Sequence, residues 1–555
     1  MKRLLILCFA ALAIASCGKG LDRVDPDDGS GQDETIRPDE CTMLSFSLSS
    51  SANGFDLPEP FMLSADGSSF SAKHLKWIEK SEPAMLIPEF QFRGKTVSVG
   101  GTEVVSGKTV LDFSHDFMLT VTAEDGTARE YVISLNCPQI NGELAVLRLQ
   151  PESPIVSKTE YVKARATLYS PNTQEGWWGP DDEMIEVRGR GNSTWTLPKK
   201  PYRIKFPAKF SPVGLNHAKE KSWVLIANDM DKSLIRDALG WTMSRILFNK
   251  ADNYHDPLAL TFTPCTEFVN LYMGDYFHGV YLLTDQMQRA GGRIEVEKLT
   301  ASNGSDPEAM KGGHIIEVDI HNEAAPIRFR SGVRKIKMDH KYPEDDDFTP
   351  EQYKYIEDYI TAAEEVLYGS DYKDPEKGWR RYFDEKTLID YIIVKELCGD
   401  MDGYTSTYFY KRRGSDKLFF GPVWDVDKGW DNEIRTAGST SDKANRLMIH
   451  AGFQMPGANG ADWFNRFWTD ETLRAAVNAR WKEKRNELVD AVKAQADALS
   501  SAMPKAVEAN FSVWPFYYQA CADAKLPASS YSLEIDRIKR LTDQRALALD
   551  REFAK

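Results

Sequence analysis

Two short acidic clusters have residue types and spacing that could do chemistry. ELCGDMDGYTSTYFYKRR holds Asp400 and Asp402, and GPVWDVDKGWDN holds Asp425, Asp427 and Asp431. A hard divalent cation such as Mg2+ takes oxygen ligands. It needs only one or two protein carboxylates when phosphate oxygens and waters complete its shell. Two clusters therefore suit one cation-holding role and one general-base role beside a phosphoryl group. The competing reading is a solvated, turn-rich surface, because loops commonly carry Asp. The aromatic neighbours Tyr408, Tyr410, Phe419, Phe420, Trp424 and Trp430 weigh against it. Carboxylates in a half-buried aromatic setting are costly unless paired or ligated.

A second pattern lies upstream. RGRGNSTWTLPKKPYRIKF places Gly189 and Gly191 in a tight turn, adds donors at Asn192, Ser193 and Thr194, and then runs into a segment bearing Lys205. A glycine turn followed by a strand-borne lysine can hold phosphates without a Walker motif. Taken alone, such a pattern is more often an ordinary basic hairpin. GTEVVSGKT has five residues between Gly101 and Gly107 where a P-loop has four, and its neighbours read as strands, so it is a turn. The nine histidines are scattered with no HExxH, and no GxSxG is present, which disfavours a zinc hydrolase or a serine elbow. The acids alone leave a two-carboxylate glycosidase open.

These residues must be positioned by regular elements. MIEVRGRGNSTWTLPKKPYRIKF reads as strand, glycine turn, strand, with Tyr202 and Ile204 alternating against Arg203 and Lys205. DKSLIRDALGWTMSRIL carries a helical stripe of Ile235, Leu239, Met243 and Ile246 behind an aspartate cap. EFVNLYMGDYFHGVYLLTDQMQ reads as a hairpin turning at residues 273–276, GGHIIEVDI as a strand and LIDYIIVKELCGD as a helix. TYFYKRRGSDKLFFGPVWDVD is a hairpin turning at Gly414, which brings the two acidic clusters together. The last hundred or so residues are expected to be mainly helical, interrupted by NFSVWPFYYQACADAKLP.

Residues 41–138 differ in texture. FMLTVTAEDGTAREYVISL alternates Phe117, Leu119 and Val121 against Tyr131, Ile133 and Leu135 around an Asp125-Gly126 turn, and an all-β immunoglobulin-like sandwich is expected there. A chain of 555 residues rarely shares one core, so the expectation is multidomain: this sandwich, then an α+β domain with a helical C-terminal region over residues 140–555. Apolar residues at 42% are ordinary for a globular chain, and a net charge of −14 disfavours a nucleic-acid binder.

The N-terminus reads as an export signal. Lys2 and Arg3 precede an apolar run over residues 4–14, too short to span a bilayer, and IASC ends it at Cys17. That order resembles a bacterial lipobox, so residues 1–17 are expected to be removed up to a lipidated Cys17. The Asp-, Gly- and Pro-rich residues 18–40 read as a solvated tether. The expected location is the bacterial cell envelope, lipid-anchored at the outer membrane, with surface display left open. Among the seven cysteines, Cys41 and Cys137 bound the sandwich; a bridge between them and two buried thiols are both open.

Five segments in order carry a family likeness: RGRGNSTWTLPKKPYRIKF, KSWVLIANDMDKSLIRDALG, GVYLLTDQM, GGHIIEVD and FFGPVWDVDKGWDN. With them, residues 140–555 resemble the spore coat protein H (CotH) kinase-like family, an atypical branch of the protein-kinase-like fold. The resemblance implies transfer of the ATP γ-phosphate to Ser or Thr of exported proteins, dependent on Mg2+ or Mn2+. It implies Asp402 as catalytic base, Asp425 as metal ligand bridging the phosphates, and Asp427 as a further ligand. Lys205 is the expected phosphate-contacting lysine, with Lys199 and Lys200 as competitors. Residues 189–195, including Gly189, Gly191, Asn192 and Ser193, would cover the phosphates, and Asp285, Gln286 and Met287 would form the hinge that meets adenine. Thr407 stands where a kinase usually has its second metal ligand, Asn. Asp400 could compensate there or replace Asp402 as base. The alternative is a catalytically weak or inactive surface adhesin or assembly scaffold.

Overall fold

The computed structural model describes residues 37–54, 57, 60–74, 84–136, 142–180, 183–215, 219–303, 306–319, 328–344, 348–434, 443–451, 461–521 and 524–555. The expected signal segment with Cys17, nearly all of the tether, and Cys137 of the bridge with Cys41 lie outside these residues.

In the N-terminal region, strands Phe117–Thr122 and Ala128–Asn136 pair antiparallel. Gly126 between them takes φ 90°, which favours glycine, and Asp125 accepts a hydrogen bond from Thr127 N. Alternation along the two arms sends Leu119, Val121, Tyr131, Ile133 and Leu135 inward, each at most 1% exposed. This hairpin lies at the centre of a six-stranded sheet among the described residues, with Ser69–Lys73 added in parallel to Ala128–Asn136. The ribbon of Thr42–Ser47 with Glu89–Arg93 shares the core through Phe46 and Phe90. The region is β-rich with a hydrophobic core of its own.

Beyond it, seven strands among the described residues close a barrel. Their order is Ala145–Pro151, Val162–Tyr169, Ile185–Gly189, Tyr202–Phe210, Glu220–Ile226, Tyr276–Asp285 and Thr266–Met273, and a parallel pairing of the last with the first completes the circle. Leu147, Ile204, Phe206, Trp223, Leu225 and Tyr281 help fill its interior. Because that interior is apolar, the alternate residues of each strand must face outward.

A five-stranded sheet follows, in the order Arg328–Arg330, Lys337–Tyr342, His314–Val318, Thr407–Lys411 and Leu418–Phe420. Helix Glu385–Cys398 packs on it and against Arg236–Leu247, Glu471–Ala502 and Tyr531–Glu552. Every residue from 387 to 398 is buried, so this helix is enclosed on all sides rather than amphipathic. Asp384 caps its start by accepting from Thr387 N, and Gly399 at φ 65° ends it. Helix Arg236–Leu247 begins later than the stripe implies, because Asp231 accepts from Ser233 N and Arg236 N in a preceding turn. Among the described residues no helix is long and apolar enough to cross a membrane.

Candidate active site

The left-handed cap at Gly399 delivers the first acidic cluster. Asp400 is fully buried; it accepts from Lys395 Nζ at 2.8 Å and from Asp402 N at 3.0 Å. Burial pushes its pKa up to about 6, opposed by the Lys395 ammonium. Asp400 therefore holds the loop, while the Asp402 carboxylate lines an open cleft. Thr405 fixes the turn by donating from N and Oγ1 to Asp402 O at 2.8 and 2.7 Å.

The second cluster is held by its backbone from several directions. Lys395 Nζ also donates to Trp424 O at 2.8 Å and Asp425 O at 3.0 Å. Val426 N donates to Asp237 Oδ1 at 2.9 Å, and Asn432 Nδ2 donates to Asp427 O at 2.8 Å. Arg236 Nε donates to Gly429 O at 2.9 Å, and Trp430 N to Cys398 O at 2.6 Å. Asp425 sits at φ 58°, a conformation Asp tolerates better than most residues and which these anchors hold in place. Helix Arg236–Leu247 approaches closely only because position 240 is glycine: a Cβ there would fall 2.3 Å from Val426 Cγ2.

Asp237, Asp402, Asp425 and Asp427 line one cleft, with Glu317 and Asp319 across from them. The Asp237 carboxyl is pushed up to about 7, first by burial and then by the Asp425 charge. Asp427 is raised well above the carboxylate range, first by burial and then by Asp425 and Asp237. The acids outnumber the cations at this cleft, and among the described residues its lining includes neither His nor Cys. The donor set fits a hard, oxygen-seeking cation such as Mg2+ or Mn2+. One wall also carries an unmet acceptor: Asn228 donates from Nδ2 to Leu234 O at 2.8 Å, and its buried Oδ1 has no partner among the described residues. A ligand with a hydrogen-bond donor would satisfy it.

Two cations face the acids. Arg190, between the two glycines of the turn, stands 5.7 Å over the Trp424 ring. Burial draws its pKa down while Asp425 draws it up. Its guanidinium makes no hydrogen bond among the described residues, so its donors face the cleft unengaged. Lys428 Nζ donates to Asp402 Oδ2 at 2.6 Å.

The structure brings together Asp402, Asp425, Asp427, Gly191, Asn192 and Ser193, and leaves other expected residues outside. Lys205, the expected phosphate-contacting lysine, does not line this cleft: it points away from the barrel interior, pairs with Glu186 at 3.0 Å and lies over Tyr161. The reason is alternation, since its neighbours Ile204 and Phe206 occupy the interior. Lys199 does line the cleft, but its ammonium is turned to Val280 O and Asn510 Oδ1 at 2.6 and 2.9 Å. Lys200 holds Trp195 O and Leu197 O. Gly189 is not a cleft residue; it leaves room for the Trp195 ring, which a Cβ would meet at 2.4 Å.

The expected hinge is displaced as well. Asp285 pairs with Trp223 on the neighbouring strand, whereas the cleft begins at Ile226, which pairs with Leu282. The antiparallel register thus carries the end of that strand away from the site. Asp285 is engaged by Arg293 Nε at 2.7 Å and Cys265 N at 2.9 Å, Gln286 donates to Met287 O, and Met287 is in the core. Thr407 is buried, accepts from the Tyr391 hydroxyl at 3.2 Å and does not line the cleft. Asp431 pairs with Lys525 outside it. Arg190 and Lys428 were missed; each lies beside a residue that sequence reasoning singled out, but only the fold shows which neighbours face the cleft.

Residues 187–549 match the family model described as CotH kinase protein. No curated protein matches the chain.

Proposed function

The chain belongs to the CotH kinase protein family, and from that premise we propose that it transfers the γ-phosphate of ATP to Ser or Thr hydroxyls of exported proteins. The observation that supports this reading best is the convergence of Asp237, Asp402, Asp425 and Asp427 with Arg190 on one cleft. The fold would then be a kinase-like domain behind an immunoglobulin-like sandwich.

Asp425 would hold the divalent cation, with Asp427 and Asp237 beside it. When bound, that cation neutralises phosphate oxygens and fixes their orientation. The chain's own residues do the rest. Asp402 accepts the proton of the attacking hydroxyl. Arg190 takes the phosphate-contacting role expected of Lys205, because a guanidinium offers a planar fork of donors. The turn carrying Gly191, Asn192 and Ser193 closes over the phosphates, with Asn192 tethered to Asp319 Oδ2 at 3.1 Å. Asp400 and Lys395 keep both acidic loops in register.

Export by the N-terminal signal, lipidation at Cys17, the acidic tether and placement at the outer membrane are part of the same proposal. It rests on the order of charged, apolar and small residues before Cys17. A second reading, a binding scaffold without catalysis, draws on the Lys428–Asp402 pair, which engages the base.

The test is thermal unfolding of the folded chain with ATP and Mg2+ or Mn2+. A ligand that binds only the native state raises the melting temperature. A shift that needs both components and disappears in Asp425→Asn supports the site. Nucleotide binding without any transfer from labelled ATP to an exported Ser-rich protein or to the chain itself would favour the scaffold.

A further inference from the structure

Resting on the phosphotransferase reading, we propose that Lys428 is a catalytic residue that neutralises the phosphoryl group in flight, and that its pairing with Asp402 is the resting form of that arrangement.

Lys428 follows Asp427 on the loop whose backbone is anchored by Lys395, Asp237, Asn432 and Arg236. Its Cα is therefore fixed, while its side chain keeps the reach of four methylenes. The ammonium lies 2.6 Å from Asp402 Oδ2 and lines the cleft. Glu433 Oε2 also lies 3.9 Å from it.

The attacking hydroxyl must come within about 3 Å of the Asp402 carboxylate and its oxygen within about 3.5 Å of the phosphorus. An ammonium already touching that carboxylate is then one side-chain rotation from the phosphoryl oxygens. Arg190 stands on the Trp424 side of the acids and Lys428 on the Asp402 side.

The resting pair covers the Asp402 oxygen that an attacking hydroxyl must reach. With side-chain exposures of 13% and 19%, the pair is mostly buried but borders the cleft, unlike the fully buried Lys395–Asp400 pair. As phosphoryl oxygens enter, Lys428 exchanges Asp402 for them. The new contact neutralises developing charge and uncovers the Asp402 carboxylate for the hydroxyl. The hydroxyl proton passes to Asp402, and the hydroxyl oxygen forms a bond to the γ-phosphorus. The bond from that phosphorus to the β–γ bridging oxygen breaks, and its electron pair leaves with ADP. Lys428 keeps its protons throughout.

The experiment compares the full wild-type chain with Lys428→Met, Lys428→Gln and Lys428→Arg. Unliganded melting confirms that each folds. Three quantities are read: the Kd for Mg2+–ATP, the rate of transfer, and the gain in affinity when aluminium fluoride joins Mg2+–ADP as a mimic of the phosphoryl in flight. Lys428→Met and Lys428→Gln are expected to leave the ATP Kd within about threefold, lower kcat about 10²- to 10³-fold and abolish the aluminium fluoride gain, with Lys428→Arg recovering part of both. A neutral variant that keeps the gain, or keeps its kcat, overturns the proposal and leaves the phosphotransferase reading standing. If folded wild type binds no Mg2+–ATP, that reading fails and this one with it.

Discussion

Arg190 and Lys205 are fifteen positions apart, one in the turn after strand Ile185–Gly189 and the other on strand Tyr202–Phe210, and only Arg190 lines the cleft. Sequence order favours the lysine, because it stands on a strand after a glycine turn. The barrel decides otherwise by claiming Ile204 and Phe206 for its interior. The consequence is measurable by calorimetric titration with Mg2+–ATP. Arg190→Met should weaken binding at least about tenfold, as loss of charge-assisted hydrogen bonds does. Lys205→Met should leave it within about twofold, since its Glu186 pair is 41% exposed on both sides.

At the scale of elements, helix Arg236–Leu247 and the acidic loop form one unit through Asp237 and the close approach at Gly240. Helix propensity alone favours Gly240→Ala by about 1 kcal/mol. The Cβ would instead meet Val426 Cγ2 at 2.3 Å and push the loop away. We expect a net stability loss of about 1–3 kcal/mol in urea melts and a smaller metal-dependent thermal shift. The five-stranded sheet supplies a second case. His314 and His340 lie 3.0 Å apart and buried; burial holds His314 down to about 4 and His340 well below 6.5, with Lys411 adding repulsion at His314. The unfolded chain then binds protons that the native chain refuses. Stability should be complete above about pH 6.5 and fall toward pH 4, by about 1 kcal/mol per pH unit for each ring. The difference between urea midpoints at pH 7 and pH 5 should shrink in His340→Gln.

At the scale of the molecule, the family match begins at residue 187, but the barrel needs Ala145–Pro151 and Val162–Tyr169 to close. Glu143 also accepts from Lys505 N and Ala506 N at the start of helix Pro504–Val513. A chain starting at residue 142 should melt cooperatively and bind Mg2+–ATP as the full chain does, because the N-terminal core draws on residues 43–135 and the rest on 144–553. One starting at 187 leaves two barrel edges open and should be degraded by protease under the same conditions. What the sequence by itself determined is what short range decides. The period-two runs gave the hairpins, Gly126, Gly399 and Gly414 gave their turns and caps, and hairpin spacing put Asp402 beside Asp425. Each of these depends on a few consecutive residues. Tertiary structure alone decided which side of an alternating strand is inside, so Lys205 lies outside the cleft that Arg190 lines. It also decided where an antiparallel register carries a strand end, so Asp285, Gln286 and Met287 leave the site. It set which distant helix reaches a loop, so Asp237 joins the acids. Closure of the barrel and the register of its pairs couple residues across the chain, and no local pattern contains that information.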